Sequence, residues 1–229
     1  MQNNTSLNVA IIRFPGTNCE FDTQHAFTKL GHKTQIVWHE EENLDSTIDL
    51  VVIPGGFSYG DYLRSGSIAR FSPIMKAVIS YAKNDGKVLG ICNGFQILTE
   101  AGLLPGALKR NNNLHFISKH QNLCVINNDN VFLSQCKKNE ILNIPIAHAD
   151  GNYYIDEVGF KELEKNHQIL LRYCDSKGEP VIVNGSVTSI AGICNKEKNI
   201  FGLMPHPERA LENILGSIDG IKMFQGFAS

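Results

Sequence analysis

The chain has 229 residues, with 21 Lys and Arg against 23 Asp and Glu, so its formal charge is only −2 at pH 7. Its basic residues are scattered rather than clustered, which leaves no electrostatic footprint for nucleic acid or an anionic membrane surface. No apolar run approaches the ~20 residues that span a bilayer.

Strand and helix alternate through the first hundred residues. The apolar run 7–14 (LNVAIIRF) suits a buried parallel strand and stops at Pro15-Gly16. Asn18 is placed to cap a helix that runs to Leu30 and ends at Gly31. Residues 34–38 and 48–53 read as further strands, the second ending in Pro54-Gly55-Gly56. A loop rich in Ser, Tyr and Gly leads to a predicted helix over 73–84, closed by Asp85-Gly86. Val88, Leu89 and Ile91 then form a strand end, and Phe95, Leu98 and Ala101 recur at helical spacing, so the chain turns sharply at Cys92. Such alternation predicts a parallel sheet with helices on both faces and ligands at the carboxyl ends of the strands.

From 113 to about 202 the pattern changes to short apolar runs between polar turns, expected to be short, partly antiparallel strands that continue or flank the same sheet. Residues 199–204 form another strand, halted at Pro205-His206-Pro207-Glu208, and 210–227 is expected to be one helix with a frayed end. With no repeat, linker or low-complexity tract, the chain reads as one domain over 1–229, with its core at about 7–215.

Cys92 lies between Gly90 and Gly94, a spacing suited to a strained strand-to-helix corner. A helix N-terminus there favours thiolate over thiol, although a buried apolar cysteine fits the corner equally well. In His206-Pro207-Glu208 two prolines bracket the histidine. If the segment is extended, Glu208 shares a face with His206 and can orient its imidazole, while a plain surface turn remains the alternative. Gly55-Gly56 suits either an ordinary tight turn or one whose N–H groups bind an oxyanion, with the Asn93 N–H as second donor. No G-x-x-x-x-G-K-[ST] occurs, so no ATP site is expected in this chain.

The six cysteines form no C-x-x-C pair and the eight histidines no H-x-H or i, i+4 pair, so reduced thiols and no metal site are expected. Cys19, also at a strand-to-helix junction, lacks flanking glycines and reads as structural. The first residues have neither a basic nor an apolar leader region, and a cytoplasmic location is expected.

G-I-C-N-G-F-Q at 90–96, P-G-G at 54–56 and H-P-E at 206–208 resemble class I (triad-type) glutamine amidotransferases. The longer strings G-G-F-S-Y-G-D-Y-L-R at 55–64, A-R-F-S-P-I-M at 69–75 and L-M-P-H-P-E-R at 203–209 resemble the small glutaminase subunits of phosphoribosylformylglycinamidine synthases. The resemblance implies a flavodoxin-like three-layer sandwich with a mostly parallel central sheet. It implies that Cys92 attacks the carboxamide of glutamine, that His206 moves the proton and that Glu208 holds the imidazole. Backbone N–H groups of Gly56 or Phe57 and of Asn93 would bind the oxyanion, and Gln96, His148 and Asp150 would lie near glutamine.

By the same resemblance the chain needs no cofactor of its own. A large synthetase subunit would use ATP and magnesium to convert formylglycinamide ribonucleotide to formylglycinamidine ribonucleotide, and a small third subunit would bridge the two. Tyr62 and Arg64 are expected at the synthetase interface. One departure is visible: the family's A-H-G-E-G-N-Y stands here as Ala147-His148-Ala149-Asp150-Gly151-Asn152-Tyr153, an acid of equal charge and shorter reach. A free-standing hydrolase of another amide and a catalytically silent scaffold are the competing readings.

Overall fold

The computed structural model describes residues 6–228; residues 1–5 and 229 of the expected domain lie outside them. The first half reads β1 (Asn8–Arg13), α1 (Glu20–Lys29), β2 (Lys33–Trp38), β3 (Leu50–Ile53), α2 (Pro73–Lys83), β4 (Lys87–Ile91) and α3 (Asn93–Glu100). The second half adds β5 (Ala107–Lys109), β6 (Ile117–Val125), β7 (Ile141–His148), β8 (Asn152–Tyr154), α4 (Glu157–Lys165), β9 (Ile169–Cys174), β10 (Ile190–Cys194), β11 (Ile200–Leu203) and α5 (Gly220–Gln225).

Nine strands form one sheet in the order β2-β1-β3-β4-β11-β10-β9-β6-β7, and β5 pairs with β8 apart from it. From β2 to β11 the ladders are parallel, and from β11 to β7 they are antiparallel. The chain steps from β1 through α1 to β2 in one direction, and from β3 through α2 to β4 in the other. Right-handed crossovers therefore put α1 and α2 on opposite faces of the sheet. Every residue of β3, β10 and β11 is buried, as strands covered on both faces require. The three-layer α/β expectation holds, and the carboxyl ends of β3, β4 and β11 lie side by side at one edge of the core.

Four local expectations need correction. Asn18 does not cap α1. The N-cap is Cys19, whose N–H donates to the Gly55 carbonyl at 3.2 Å, because this stretch is tied to the 55–57 loop rather than turned back onto its own helix. Strand β3 begins at Leu50, since Ile48 closes a turn on Asp45 and Asp49 accepts the Asn8 N–H.

The polar stretch 113–202 contains two long strands, β6 and β7, and a helix, α4. One face of β7 is buried in strict alternation, and Asp156 caps α4 by accepting the Gly159 N–H at 2.7 Å. Finally, 210–227 is not one helix: Gly216 takes φ +93°, and a Cβ on Gly220 would stand 2.1 Å from the Pro207 carbonyl oxygen, so only α5 and single turns form.

Candidate active site

Strand β4 ends at Ile91 and α3 starts at Asn93, so Cys92 alone makes the corner. Its φ of 51° and ψ of −104° lie where side chains seldom go, a strain of order 1–3 kcal/mol. The glycines on either side make the corner possible. A Cβ on Gly94 would stand 1.8 Å from the Ile53 carbonyl oxygen, and one on Gly90 2.5 Å from Leu98 Cδ1. Helix α3 thus packs directly on β3, and the Cys92 N–H donates to the Leu203 carbonyl at 2.8 Å, fixing the corner to β11. Cys92 is 6 % exposed and stands as the N-cap of α3. This is the geometry of a nucleophile elbow.

Beyond β11, the His206 N–H donates to the Pro145 carbonyl at 2.8 Å, and residues Pro207–Arg209 form a single 3-10 turn. The segment is therefore not extended, and the tight turn brings the two side chains together instead. His206 Nδ1 donates to Glu208 Oε1 at 2.6 Å, with both residues almost fully buried. Burial disfavours the imidazolium, but the Glu208 carboxylate and then the Cys92 sulfur outweigh it, holding the His206 pKa well above its ordinary value. Nε2 is buried without a hydrogen-bond partner and is the nitrogen left for proton transfer.

The oxyanion donors are only partly in place. The Phe57 N–H donates to the Gly16 carbonyl at 2.9 Å, so in this conformation it is engaged and not free for an oxyanion as expected. Gly56 (φ +149°) pairs with Thr17 so closely that a Cβ would stand 2.7 Å from the Thr17 Cα. The Asn93 N–H, at the first position of α3, has no acceptor within the helix. The Asn93 side chain accepts the Ser58 N–H at 3.0 Å and so ties the elbow to this strap.

Gln96, His148 and Asp150 come together beside the elbow, yet each is engaged by partners within the protein. Gln96 donates to the Asp150 carbonyl at 2.7 Å and accepts from Asn93 Nδ2 at 2.8 Å, so both ends of its amide are engaged within the protein. His148 is held near pKa 4 by burial and then by the neighbouring His206 charge, and so stays neutral. The shorter Asp150 still finds a partner, since Ser65 Oγ donates to Oδ2 at 2.7 Å.

Two residues here escaped the sequence reading. Asn111, fully buried, accepts the Gly151 N–H and donates to the His148 carbonyl, shaping the 148–151 loop. Asp61 is pushed up to about 6 by burial and by the adjacent Asp150. Its only sequence signal was its place in G-D-Y-L-R. Cys19, read as structural, lies against the ring of His206, and Arg209 donates to its sulfur at 3.0 Å.

The two expected interface residues differ. Tyr62 is 75 % exposed, whereas Arg64 lays its guanidinium fork on Glu100 of α3 at 2.6 and 2.7 Å. No helix among the described residues is long and apolar enough to cross a membrane.

Comparison with known proteins agrees with this geometry. A family model described as the CobB/CobQ-like glutamine amidotransferase domain matches residues 6–224. The phosphoribosylformylglycinamidine synthase subunit PurQ of Sulfurimonas denitrificans is 67 % identical, over 96 % of this chain and 99 % of the relative. That of Wolinella succinogenes is 65 % identical over 97 % and 100 %. A chain in the structure of PurLQS from Thermotoga maritima superposes with a TM-score of 0.87 at 41 % identity, covering 97 % of this chain and 98 % of that one. The chain belongs to the CobB/CobQ-like glutamine amidotransferase family and, within it, to the group of the PurQ proteins.

Proposed function

We propose that this chain is the glutaminase subunit of a phosphoribosylformylglycinamidine synthase, freeing ammonia from glutamine for use on a partner subunit. The observation that carries the reading is the strained Cys92 elbow facing a buried His206–Glu208 pair, in a chain that matches PurQ relatives over nearly their whole length. The thiol proton of Cys92 passes to Nε2 of His206, and the sulfur attacks the side-chain carboxamide carbon of glutamine. The tetrahedral oxyanion is met by the Asn93 N–H and by the Gly56–Phe57 strap once that peptide turns away from Gly16. His206 returns the proton to the departing nitrogen, leaving a γ-glutamyl thioester and ammonia. Water, deprotonated by the same imidazole, then releases glutamate and the thiol. Glu208 keeps the ring in the required tautomer and stabilises its charge.

His148 and the Asp150 loop border the glutamine site, with Gln96 ordering that loop. ATP and magnesium belong to the large synthetase subunit, which would convert formylglycinamide ribonucleotide to formylglycinamidine ribonucleotide. A small third subunit would join the two, and exposed Tyr62 with the Arg64 segment would face the synthetase. The assembly would act in the cytoplasm, where its partner draws ATP.

The test mixes the chain with its cognate subunits, ATP, magnesium and the ribonucleotide acceptor, beside a Cys92→Ala variant. Glutamine-dependent product that is lost in the variant and restored by ammonium is the expected result. Glutamine-dependent product that persists in the variant, or none at all with an ammonium-competent partner, overturns the proposal.

A further inference from the structure

Cys19 is a thiol for which the glutamine chemistry has no use. It is 2 % exposed, yet its sulfur, a ring nitrogen of His206 and a carboxylate oxygen of Glu208 all lie within 4.8 Å of one another. Cys19 is far in sequence from His206 and Glu208, so no cysteine or histidine spacing reveals the cluster. Thiolate, imidazole and carboxylate are the donor types of zinc sites, where bonds of ~2.0–2.3 Å place tetrahedral donors roughly 3.3–3.8 Å apart. Drawing the sulfur in by up to about 1 Å, and opening the His206 Nδ1–Glu208 Oε1 contact from 2.6 Å by roughly 0.7–1 Å, brings the three to that spacing.

Three further observations bear on the cluster. Glu208 Oε2, on a residue 2 % exposed, is buried with no hydrogen-bond partner. A Cβ built on Gly55 would meet the Cys19 sulfur at 3.0 Å and His206 Cε1 and Nδ1 at 2.7 and 3.4 Å, so the sulfur and the imidazole both press on the same glycine, while Glu208 binds Nδ1. A cavity of about 480 Å³ reaches Glu208 and Arg209, and its lining includes Asp22, His25 and His120, groups that attract a divalent cation.

We infer that Cys19, His206 and Glu208 form an inhibitory site for a thiophilic divalent cation of the Zn²⁺ class, which enters from the Asp22–His25 cavity and replaces the proton between His206 and Glu208. The inference rests on the reading of His206 as the catalytic base. Binding forms metal–sulfur, metal–nitrogen and metal–oxygen bonds and releases the Cys19 thiol proton and the Nδ1 proton to solvent; no electrons are transferred. The Arg209 guanidinium, which donates to the Cys19 sulfur at 3.0 Å, gives up that contact and keeps Asp22, 3.1 Å away. An imidazole metallated at Nδ1 loses the basicity that proton transfer at Nε2 needs, so the ion silences glutamine hydrolysis without touching the synthetase.

The test titrates Zn²⁺ into the assembled enzyme, following glutamine-dependent and ammonium-dependent synthesis side by side, each variant normalised to its own metal-free rate. Inhibition is expected in the glutamine assay alone, reversed by EDTA. The half-inhibiting Zn²⁺ concentration should rise roughly 10- to 100-fold or more in Cys19→Ser and Cys19→Ala, the loss typical even for an outer partner of a metal site. It should fall in Arg209→Gln, which removes the competing cation. Sensitivity equal to wild type in both Cys19 variants overturns the site and leaves Cys92 as the ligand.

A second readout does not depend on activity. The Cys92→Ala chain should bind Co²⁺ with a thiolate charge-transfer band that is missing from Cys19→Ala/Cys92→Ala. No band in Cys92→Ala overturns the inference while leaving the glutaminase reading intact. A band in a protein whose metal-free wild type shows no glutamine chemistry sinks the functional reading alone.

Discussion

The Cys92 elbow and the 55–67 strap face the same reacting atoms but are built in opposite ways. The elbow is locked: Gly90 and Gly94 allow backbone to touch backbone, the flanking strand residues are buried, and one strained residue is held between β4 and α3. The strap runs through a series of left-handed conformations at Tyr59, Gly60, Asp61, Leu63 and Gly66, carries exposed Tyr62 and Leu63, and keeps the Phe57 N–H on Gly16. In the proposed reading the nucleophile and its base are therefore prebuilt, while the oxyanion site is unfinished. Removing one oxyanion donor from an acyl-transfer site costs about 2.7–4 kcal/mol, or roughly 100- to 1000-fold in rate, so on the proposed reading a single peptide turn in the strap would be enough to gate the activity.

The largest expected effect lies on the prebuilt side. Glu208→Gln leaves the shape of the dyad but not its charge, and should lower glutamine hydrolysis by roughly 10⁴-fold, as loss of the carboxylate does in comparable triads. Steady-state glutaminase assays check it, and a drop below tenfold would show that the buried pair is structural.

Next comes Gly94→Ala, which drives a Cβ to 1.8 Å from the Ile53 carbonyl oxygen. A destabilisation of about 1–3 kcal/mol is expected, at the upper end because the obstacle is backbone, together with a Tm lower by several degrees. An unchanged Tm would mean that the elbow is not locked as described.

On the strap side the effects are smaller. Asp61 has its folded pKa raised from 3.8 to about 6, so the folded state binds the proton more tightly than the unfolded one. Its charge therefore opposes folding most fully above pH 6, and the penalty fades as pH falls from about 6 towards 3.8. Asp61→Asn should raise Tm at pH 8 and lose most of that gain at pH 4.5. A gain that grows on acidification would contradict the assignment.

Arg64→Ala removes an exposed fork on Glu100 and should change the stability of the isolated chain by less than about 1 kcal/mol, while weakening its association with the synthetase. Sedimentation or calorimetric titration against the partner distinguishes the two effects, and unaltered affinity would remove Arg64 from the interface.

Sequence periodicity captured the parallel half of the sheet because buried strands there are continuous apolar runs, and the elbow because Gly90 and Gly94 are needed wherever such a corner packs this tightly. The antiparallel half was hard to read. Strand β6 (ISKHQNLCV) carries three consecutive exposed polar residues, Ser118, Lys119 and His120, which break any alternation, and Gly159 inside α4 masks a helix defined by the Asp156 cap.

His206 and Glu208 were paired correctly for an incorrect reason, since a 3-10 turn rather than an extended segment joins them. The engagement of Phe57 by Gly16, the closed amide circuit of Gln96, and the approach of Cys19 to His206 all depend on long-range contacts. No local pattern records such contacts.

The most direct measurement of the unfinished oxyanion site is the rate of glutamine hydrolysis by this chain alone and in the assembled synthetase turning over ATP and its acceptor. A prebuilt nucleophile waiting on one donor predicts a rise of roughly 100- to 1000-fold on assembly. Equal rates in the two states would contradict it and would mean that the strap, as it stands against Gly16, is already competent.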